Sequence, residues 1–426
     1  MNPRLASLVW LILAMLVPGA APASNCNGTQ TGMIPLTDLG AGFYHGVQGG
    51  LYPGGTNVRP PAHDAAGVSI AHAMAPLDTF GNADANGRIV LISIGMSNTT
   101  QEFSTFVPAA AADPSRDPSV LVVDCALGGQ TASLIKNPGA AYWDTVRTRL
   151  RARRSSPSQV QVVWLKEANA NPSTGFPAAT TTLMQDLGSV VRVVKSLLPE
   201  TRIIYLSSRI YAGYATSTLN PEPYAYESGF AVKWLVEAQI DGVDSLRYDP
   251  AQGPVEAPWL AWGPYLWADG VNPRGGDGLT WVCSDFQSSD GTHPATGARV
   301  KVSNLLLDFM HHDATATPWY LASPAAVAPP GPRAMALAVA PVPARGPVEV
   351  RFVAPAGKPW RLEALDLGGR RVRNLASGVG DGLEHPLRWD GRDDRGSPVR
   401  AGAYWLRLAS PGAPPKTRRI VLLAGR

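Results

Sequence analysis

The chain has 426 residues, too many for one average domain, and its 45% hydrophobic and 16% charged content fits a globular protein with real cores. A formal net charge of +4 over that length, with no Lys/Arg block longer than Arg151-Ala152-Arg153-Arg154, argues against nucleic acid as a partner. The 43 Gly and 39 Pro imply many turns and at least one linker.

The first 23 residues have the pattern of a secretory signal peptide. Arg4 precedes an apolar run from Leu5 to Val17, then Pro18-Gly19 and an Ala21-Pro22-Ala23 cleavage site. The run is too short for a stable membrane anchor, and no second long apolar segment follows. The mature protein is therefore expected in the periplasm, at the cell surface or outside the cell, with no integral membrane segment. Cys26, Cys125 and Cys283 would then meet an oxidising setting that allows one disulfide and one spare thiol. Cys125 and Cys283 both fall near ends of predicted strands, which favours that pair.

Residues 24 to 88 are rich in Gly, Pro and His with weak periodicity and read as a loop-rich extension. His45, His63 and His72 match no metal-binding spacing. From Ile89 onward, apolar strands alternate with helical stretches, the pattern of an α/β domain reaching to residue 320. Strands are predicted at Ile89–Gly95, Ser119–Gly129, Gln159–Ala168 and Arg202–Ser207. Helices are predicted at Ala141–Arg153, Thr180–Leu198, Gly229–Ile240 and from Ala295 to Met310. Residues 321–347 form an Ala/Pro linker. Residues 348–426 then read as all β, a small sandwich with Gly-, Asp- and Pro-rich turns.

The first strand ends in Gly95-Met96-Ser97-Asn98, which places a hydroxyl at the carboxyl edge of a parallel sheet, where chemistry is normally found. Serine is a poor nucleophile at neutral pH and needs a base, with a third group to orient that base. Asp290 and His293 in SDGTHP supply both from one loop, and Pro294 suits the first turn of the helix after it.

A G-x-S-N turn after the first strand and a D-x-x-H before the last helix resemble the SGNH (GDSL-like) hydrolase superfamily, over roughly residues 88–312. The resemblance implies a flavodoxin-like three-layer α/β sandwich around a parallel sheet. It also implies Ser97 as nucleophile, His293 as base and Asp290 as its orienting partner. The oxyanion hole would combine the Ser97 N–H, Gly128 or Gly129 from ALGGQTA, and Asn169 or Asn171 from WLKEANANPS. GMSN in place of GDS is closer to the GQSN turn of sialate O-acetylesterases and acetylxylan esterases. In those relatives the third block carries Q-G-E, against which Lys166-Glu167 aligns in part, so Glu167 is a candidate site residue.

Arg209 and Tyr211 follow the fourth strand at the same sheet edge and are candidates for the substrate pocket. Trp259, Trp262, Tyr265 and Trp267 lie within nine residues; exposed, such rings suit stacking on sugars, and packed inward they form a lid. Trp262 and Trp267 are taken as the candidate sugar contacts. His311-His312-Asp313 has the look of a metal pair, explained equally by charge placed against a helix C-terminus. The C-terminal pattern LEALDLGGRRVRNL, LRWDGRDDRGSPVRAGAYWLRL and TRRIVLL resembles a FlgD-like immunoglobulin-like domain, which implies a sorting, attachment or spacing module. WDGRDDRG reads as a hairpin turn rather than a calcium loop.

The expectation is a secreted serine esterase acting on ester bonds, with carbohydrate O-acetyl groups preferred, and requiring no metal or cofactor. The alternative is a non-catalytic glycan-binding or surface-display protein on the same scaffold.

Overall fold

The first sheet strand fixes the frame. In the computed structural model, which describes residues 23–322 and 335–424, β1 (Ile89–Gly95) is buried along its whole length. Beside it run β2 (Val120–Val123), β3 (Val160–Lys166), β4 (Ile203–Leu206) and β5 (Trp259–Trp262). Their order is β2-β1-β3-β4-β5 and all pairings are parallel. A parallel sheet needs cover on both faces, which is why β1 reads as an unbroken apolar run. Val90, Leu91, Ile92 and Ile94 are wholly shielded, each contributing about 1.5–3 kcal/mol of hydrophobic burial.

The main helices are α1 (Pro61–His72), α2 (Ser97–Ala112), α3 (Tyr142–Ala152), α4 (Ala178–Leu197), α5 (Tyr224–Ile240) and α6 (Thr296–His312). α2 packs with α6 on one side of the sheet, and α4 packs with α5 on the other. No helix among the described residues is long and apolar enough to cross a membrane. The expected signal peptide, apart from its last residue, and residues 323–334 of the expected linker lie outside the described residues.

Among the elements that escaped the sequence reading are α1, β5 and α2, whose span Ser97–Ala112 no predicted helix covers. α1 lies in the stretch read as loop: Pro61 sits in its first turn, and it buries His63, Gly67 and Ala71. That face is regular but too small and polar to register as an apolar stripe. It is small because a Cβ at Gly67 would come within 2.3 Å of the Trp259 ring. β5 lies in the aromatic segment expected either to stack on sugars or to form a lid, yet Trp259 to Trp262 pair in register with Ile203 to Leu206.

The cysteine pairing also differs from expectation. Cys26 joins Cys283, and Cys125 is a free, buried thiol at the end of β2. The reason is the path of the N-terminal segment: Ser24 N–H donates to Ser288 O, Asn25 N–H to Tyr214 O, and Thr31 N–H to Asp269. These contacts lay Cys26 beside the loop that holds Cys283, and no local pattern announces them.

The chain divides into two units, residues 1–323 and 324–426, each with its own core. The second contains β6 (Ala336–Ala340), β7 (Val348–Val353), β8 (Pro359–Leu365), β9 (Arg371–Val379), β10 (Glu384–Trp389), β11 (Gly402–Ser410) and β12 (Ala413–Leu422). They form two antiparallel sheets, ordered β10-β7-β6 and β9-β8-β11-β12. β6 falls inside the stretch read as linker; its Leu337 turns to the core while Ala336 and Ala338 face outward, the two-residue alternation of a half-buried strand. In WDGRDDRG, Asp393 accepts the N–H groups of Arg395 and Ser397, the bonding of a hairpin turn.

Candidate active site

β1 delivers Ser97 to the carboxyl edge of the sheet. A Cβ at Gly95 would lie 2.2 Å from Lys166 O and 2.3 Å from Thr99 Oγ1, so only glycine lets the chain turn so close to β3. Ser97 is then the first residue of α2, with Met96 extended before it. Leu127 N–H donates to Gly95 O at 2.9 Å, which draws the loop after β2 onto this turn. A Cβ on Gly128 would stand 3.5 Å from Ser97 Cβ.

The loop before α6 meets the serine from the other side. His293 Nε2 lies 2.8 Å from Ser97 Oγ, and His293 Nδ1 lies 2.7 Å from Asp290 Oδ2. The Asp290 Oδ1 accepts the N–H groups of Thr292 (2.8 Å) and His293 (3.0 Å). Partial burial works against the Asp290 charge, but these donors and the imidazole outweigh it and hold the carboxyl below its ordinary range. Asn98 Nδ2 donates to Thr292 O at 2.9 Å, tying the serine turn directly to the histidine loop. Ser217 Oγ bonds Thr292 Oγ1 at 2.9 Å.

Neither Ser97 N–H nor Gly128 N–H has an acceptor among the described residues. The first N–H groups of a helix are orphans and carry its positive dipole end. Together these donors suit a negative charge developing beside Ser97 Oγ. Gly129, at φ +76°, shapes the turn that presents Gly128. The Asn169 side chain accepts from Ser133 N–H at 2.9 Å and donates to Asp186 at 2.8 Å, so its amide links the loop after β3 to α4. Asn171 sits in an exposed turn at φ +50°, and its side chain accepts from Thr218.

The remaining candidates lie deeper. Trp262, Trp267 and Tyr211 are buried, with their polar atoms donating to Leu51 O, Glu222 and Gly28 O respectively. They cannot offer flat faces to a sugar; they belong to the core, as do Trp259 and Tyr265. Glu167 is buried, one oxygen accepts the Ala168 N–H and the other has no partner, and burial pushes its carboxyl well above the ordinary range. Arg209 is buried with its Nε unpartnered, and its backbone N–H donates to Ser228 Oγ. His311 Nε2 pairs with Asp113 at 2.7 Å and His312 with Asp308, so the two rings are directed to separate carboxylates.

Sequence reasoning passed over the buried pair of Glu102 and Lys166, whose charged atoms lie 2.6 Å apart. Glu102 follows Ser97 by five residues on the helix face that carries Phe103 and Phe106, and a charge beside those rings was the available signal. Asn98 stood within the motif but was given no role.

No protein-family model matches the chain, and no curated protein matches it. Among solved structures, a carbohydrate acetylesterase from Xanthomonas citri is 12% identical over 78% of this chain and 80% of its own, with a TM-score of 0.28. The periplasmic domain of a lipopolysaccharide acetyltransferase from Salmonella ser. Paratyphi A is 15% identical over 53% and 83%, with a TM-score of 0.28. Dimeric latent PorU from Porphyromonas gingivalis is 20% identical over 21% of this chain, which spans 9% of that structure, with a TM-score of 0.18. At such scores the chemistry must be argued from the site itself.

Proposed function

We propose that the chain is an exported serine esterase of the SGNH (GDSL-like) type, with a flavodoxin-like catalytic unit and a C-terminal immunoglobulin-like module resembling FlgD. One observation carries the reading: Ser97, His293 and Asp290 form a continuous hydrogen-bonded relay, 2.8 Å and 2.7 Å long at its two links, beside two unused N–H donors.

In this reading Ser97 Oγ attacks the ester carbonyl carbon while His293 Nε2 takes its proton and Asp290 stabilises the imidazolium. The Ser97 and Gly128 N–H groups hold the oxyanion. Collapse breaks the C–O bond, His293 returns the proton to the leaving alcohol, and an acyl-serine remains. Water, deprotonated by the same imidazole, then releases the acid. The preferred substrate class is an O-acetylated carbohydrate, supported by the likeness of the GMSN turn to the GQSN turn of sugar acetylesterases, with Gly128 exposed beside Ser97.

The test is turnover of p-nitrophenyl acetate and acetylated glycans by wild type and Ser97→Ala. Loss of about 10⁶-fold in kcat with unchanged folding is expected, because members of such a relay act as a unit. Wild-type turnover by Ser97→Ala would refute the esterase. Failure of folded wild type to be labelled at Ser97 by a fluorophosphonate would favour the non-catalytic glycan-binding alternative.

A further inference from the structure

Net charge over the whole chain conceals an uneven distribution. Residues 335–424 carry fifteen Lys and Arg against eight Asp and Glu, a net +7 in a chain whose total is +4. Much of that excess gathers on one surface, the outer face of the β9-β8-β11-β12 sheet. Register places its members: Glu363 pairs with Arg407, Leu365 with Trp405, Trp405 with Arg419, and Leu365 with Arg371. Because side chains alternate along a strand, Arg361 shares this face with Glu363, two residues away.

Glu363 is the one carboxylate at the centre of the array. Its side chain is 6% exposed and lies 2.9 Å from Arg407, 3.6 Å from Arg361 and 3.9 Å from Arg371. Asp394 also lies 3.6 Å from Arg371, so two carboxylates face three guanidiniums, which remain 44%, 59% and 52% exposed. Trp405, 36% exposed, stands on the same face. A groove of about 770 Å³ crosses the sheet here, lined by Trp360, Arg361, Glu363, Arg407, Ser410 and Pro415.

Protection of sheet edges does not account for this arrangement. Lysine and arginine on an edge strand discourage edge-to-edge pairing, which suffices for Lys416, Arg418 and Arg419 on β12. Arg361 and Arg407 lie on β8 and β11, the two central strands, whose backbones are already paired on both sides. There the guanidiniums serve no edge.

We propose that this face is a binding surface for an acidic polysaccharide, with the guanidiniums taking its carboxylates and Trp405 stacking on a sugar ring. Arginine forks match carboxylate geometry, and an aromatic face beside them suits the apolar side of a pyranose. By this register Arg361, Arg407 and Arg419 step diagonally across three neighbouring strands, roughly 7–8 Å from one to the next, so an extended polyanion lying along that diagonal meets them in turn. The Cys26–Cys283 disulfide marks an oxidising compartment, where polysaccharide rather than nucleic acid is the polyanion at hand. This surface stands apart from the esterase reading and is tested without it.

The test is binding of the full chain to polygalacturonate at low and high salt, with neutral dextran and duplex DNA as comparators. Saturable binding to polygalacturonate, weakened by salt, with none to dextran, is expected. Arg361→Gln combined with Arg407→Gln should weaken it about tenfold or more. Trp405→Ala should weaken it at both salt concentrations. Glu363→Gln should tighten it, since removing the opposing carboxylate leaves the guanidiniums unneutralised. The half-exposed arginines can change without loss of fold, which an unaltered melting temperature verifies. Equal binding by the double arginine variant, weaker binding by Glu363→Gln, or tighter binding to duplex DNA than to polygalacturonate overturns the proposal.

Discussion

Lys166 Nζ lies 2.6 Å from Glu102 Oε1, and both side chains are shut off from solvent directly behind the turn that carries Ser97. Burial pushes the lysine down to about 8 and the glutamate up, so each charge is held against its desolvation by the other. Removing one partner leaves the other charge buried and alone. Lys166→Met is therefore expected to cost about 3–5 kcal/mol in urea unfolding, and Glu102→Leu with Lys166→Met to recover most of it. A double variant no more stable than Lys166→Met would show that the pair is not the source of the loss.

Substitution at the serine-facing loop should separate chemistry from folding. A side chain on Gly128 points towards Ser97, while Gly129 needs its positive φ. Gly128→Val is expected to fold normally and to lose at least about 10²-fold in kcat/KM, on the scale of one lost oxyanion donor. Gly129→Val should instead lower stability by about 1–2 kcal/mol through left-handed strain. Asn171→Ala, in a turn bonded to Thr218 and Leu219, should leave turnover within about threefold of wild type, since an exposed turn of this kind carries little stability.

Glu222 gives stability a pH dependence. Its carboxylate accepts from Ala212 N–H, Trp267 Nε1 and Tyr226 N–H, yet burial raises it to about 7. A carboxyl raised in the folded state binds more protons there than in the unfolded chain. Its contribution is therefore complete below about 4.3 and is lost as pH rises through about 7, a change on the order of 3 kcal/mol. Unfolding measured from pH 5 to 8 should show this slope in wild type and a flatter one in Glu222→Gln. Parallel slopes in the two proteins would remove Glu222 as the cause.

The disulfide and the spare thiol should behave oppositely. Cys26→Ser with Cys283→Ser is expected to lose about 2–5 kcal/mol and to loosen the segment leading to Asp290. Cys125 is buried, and burial with the nearby Asp124 raises its thiol to about 12. A thiol reagent should find nothing to label in the native oxidised protein and one thiol after unfolding. Rapid labelling of native protein would contradict this placement of Cys125.

The motifs that mattered most were legible because their chemistry and their chain position coincide. The apolar run Ile89–Gly95 followed by Gly95-Met96-Ser97-Asn98, and Asp290 with His293 on one loop, pointed to residues that meet in space. Trp262 and Trp267 misled for a physical reason. Composition alone cannot tell an aromatic ring that faces solvent from one whose indole N–H has found Leu51 O or Glu222 inside. α1 stayed hidden because His63, Gly67 and Ala71 bury shape rather than apolar area. The Cys26–Cys283 link depended on where an aperiodic segment is laid, which only tertiary contacts decide.

The bond from Asn98 Nδ2 to Thr292 O joins the two halves of the site without involving the serine hydroxyl. Deleting that hydroxyl should therefore leave the imidazole where it stands. Ser97→Ala becomes more than an inactive control. It is a trap in which an uncleaved ester can be soaked and its alcohol portion seen against an intact site.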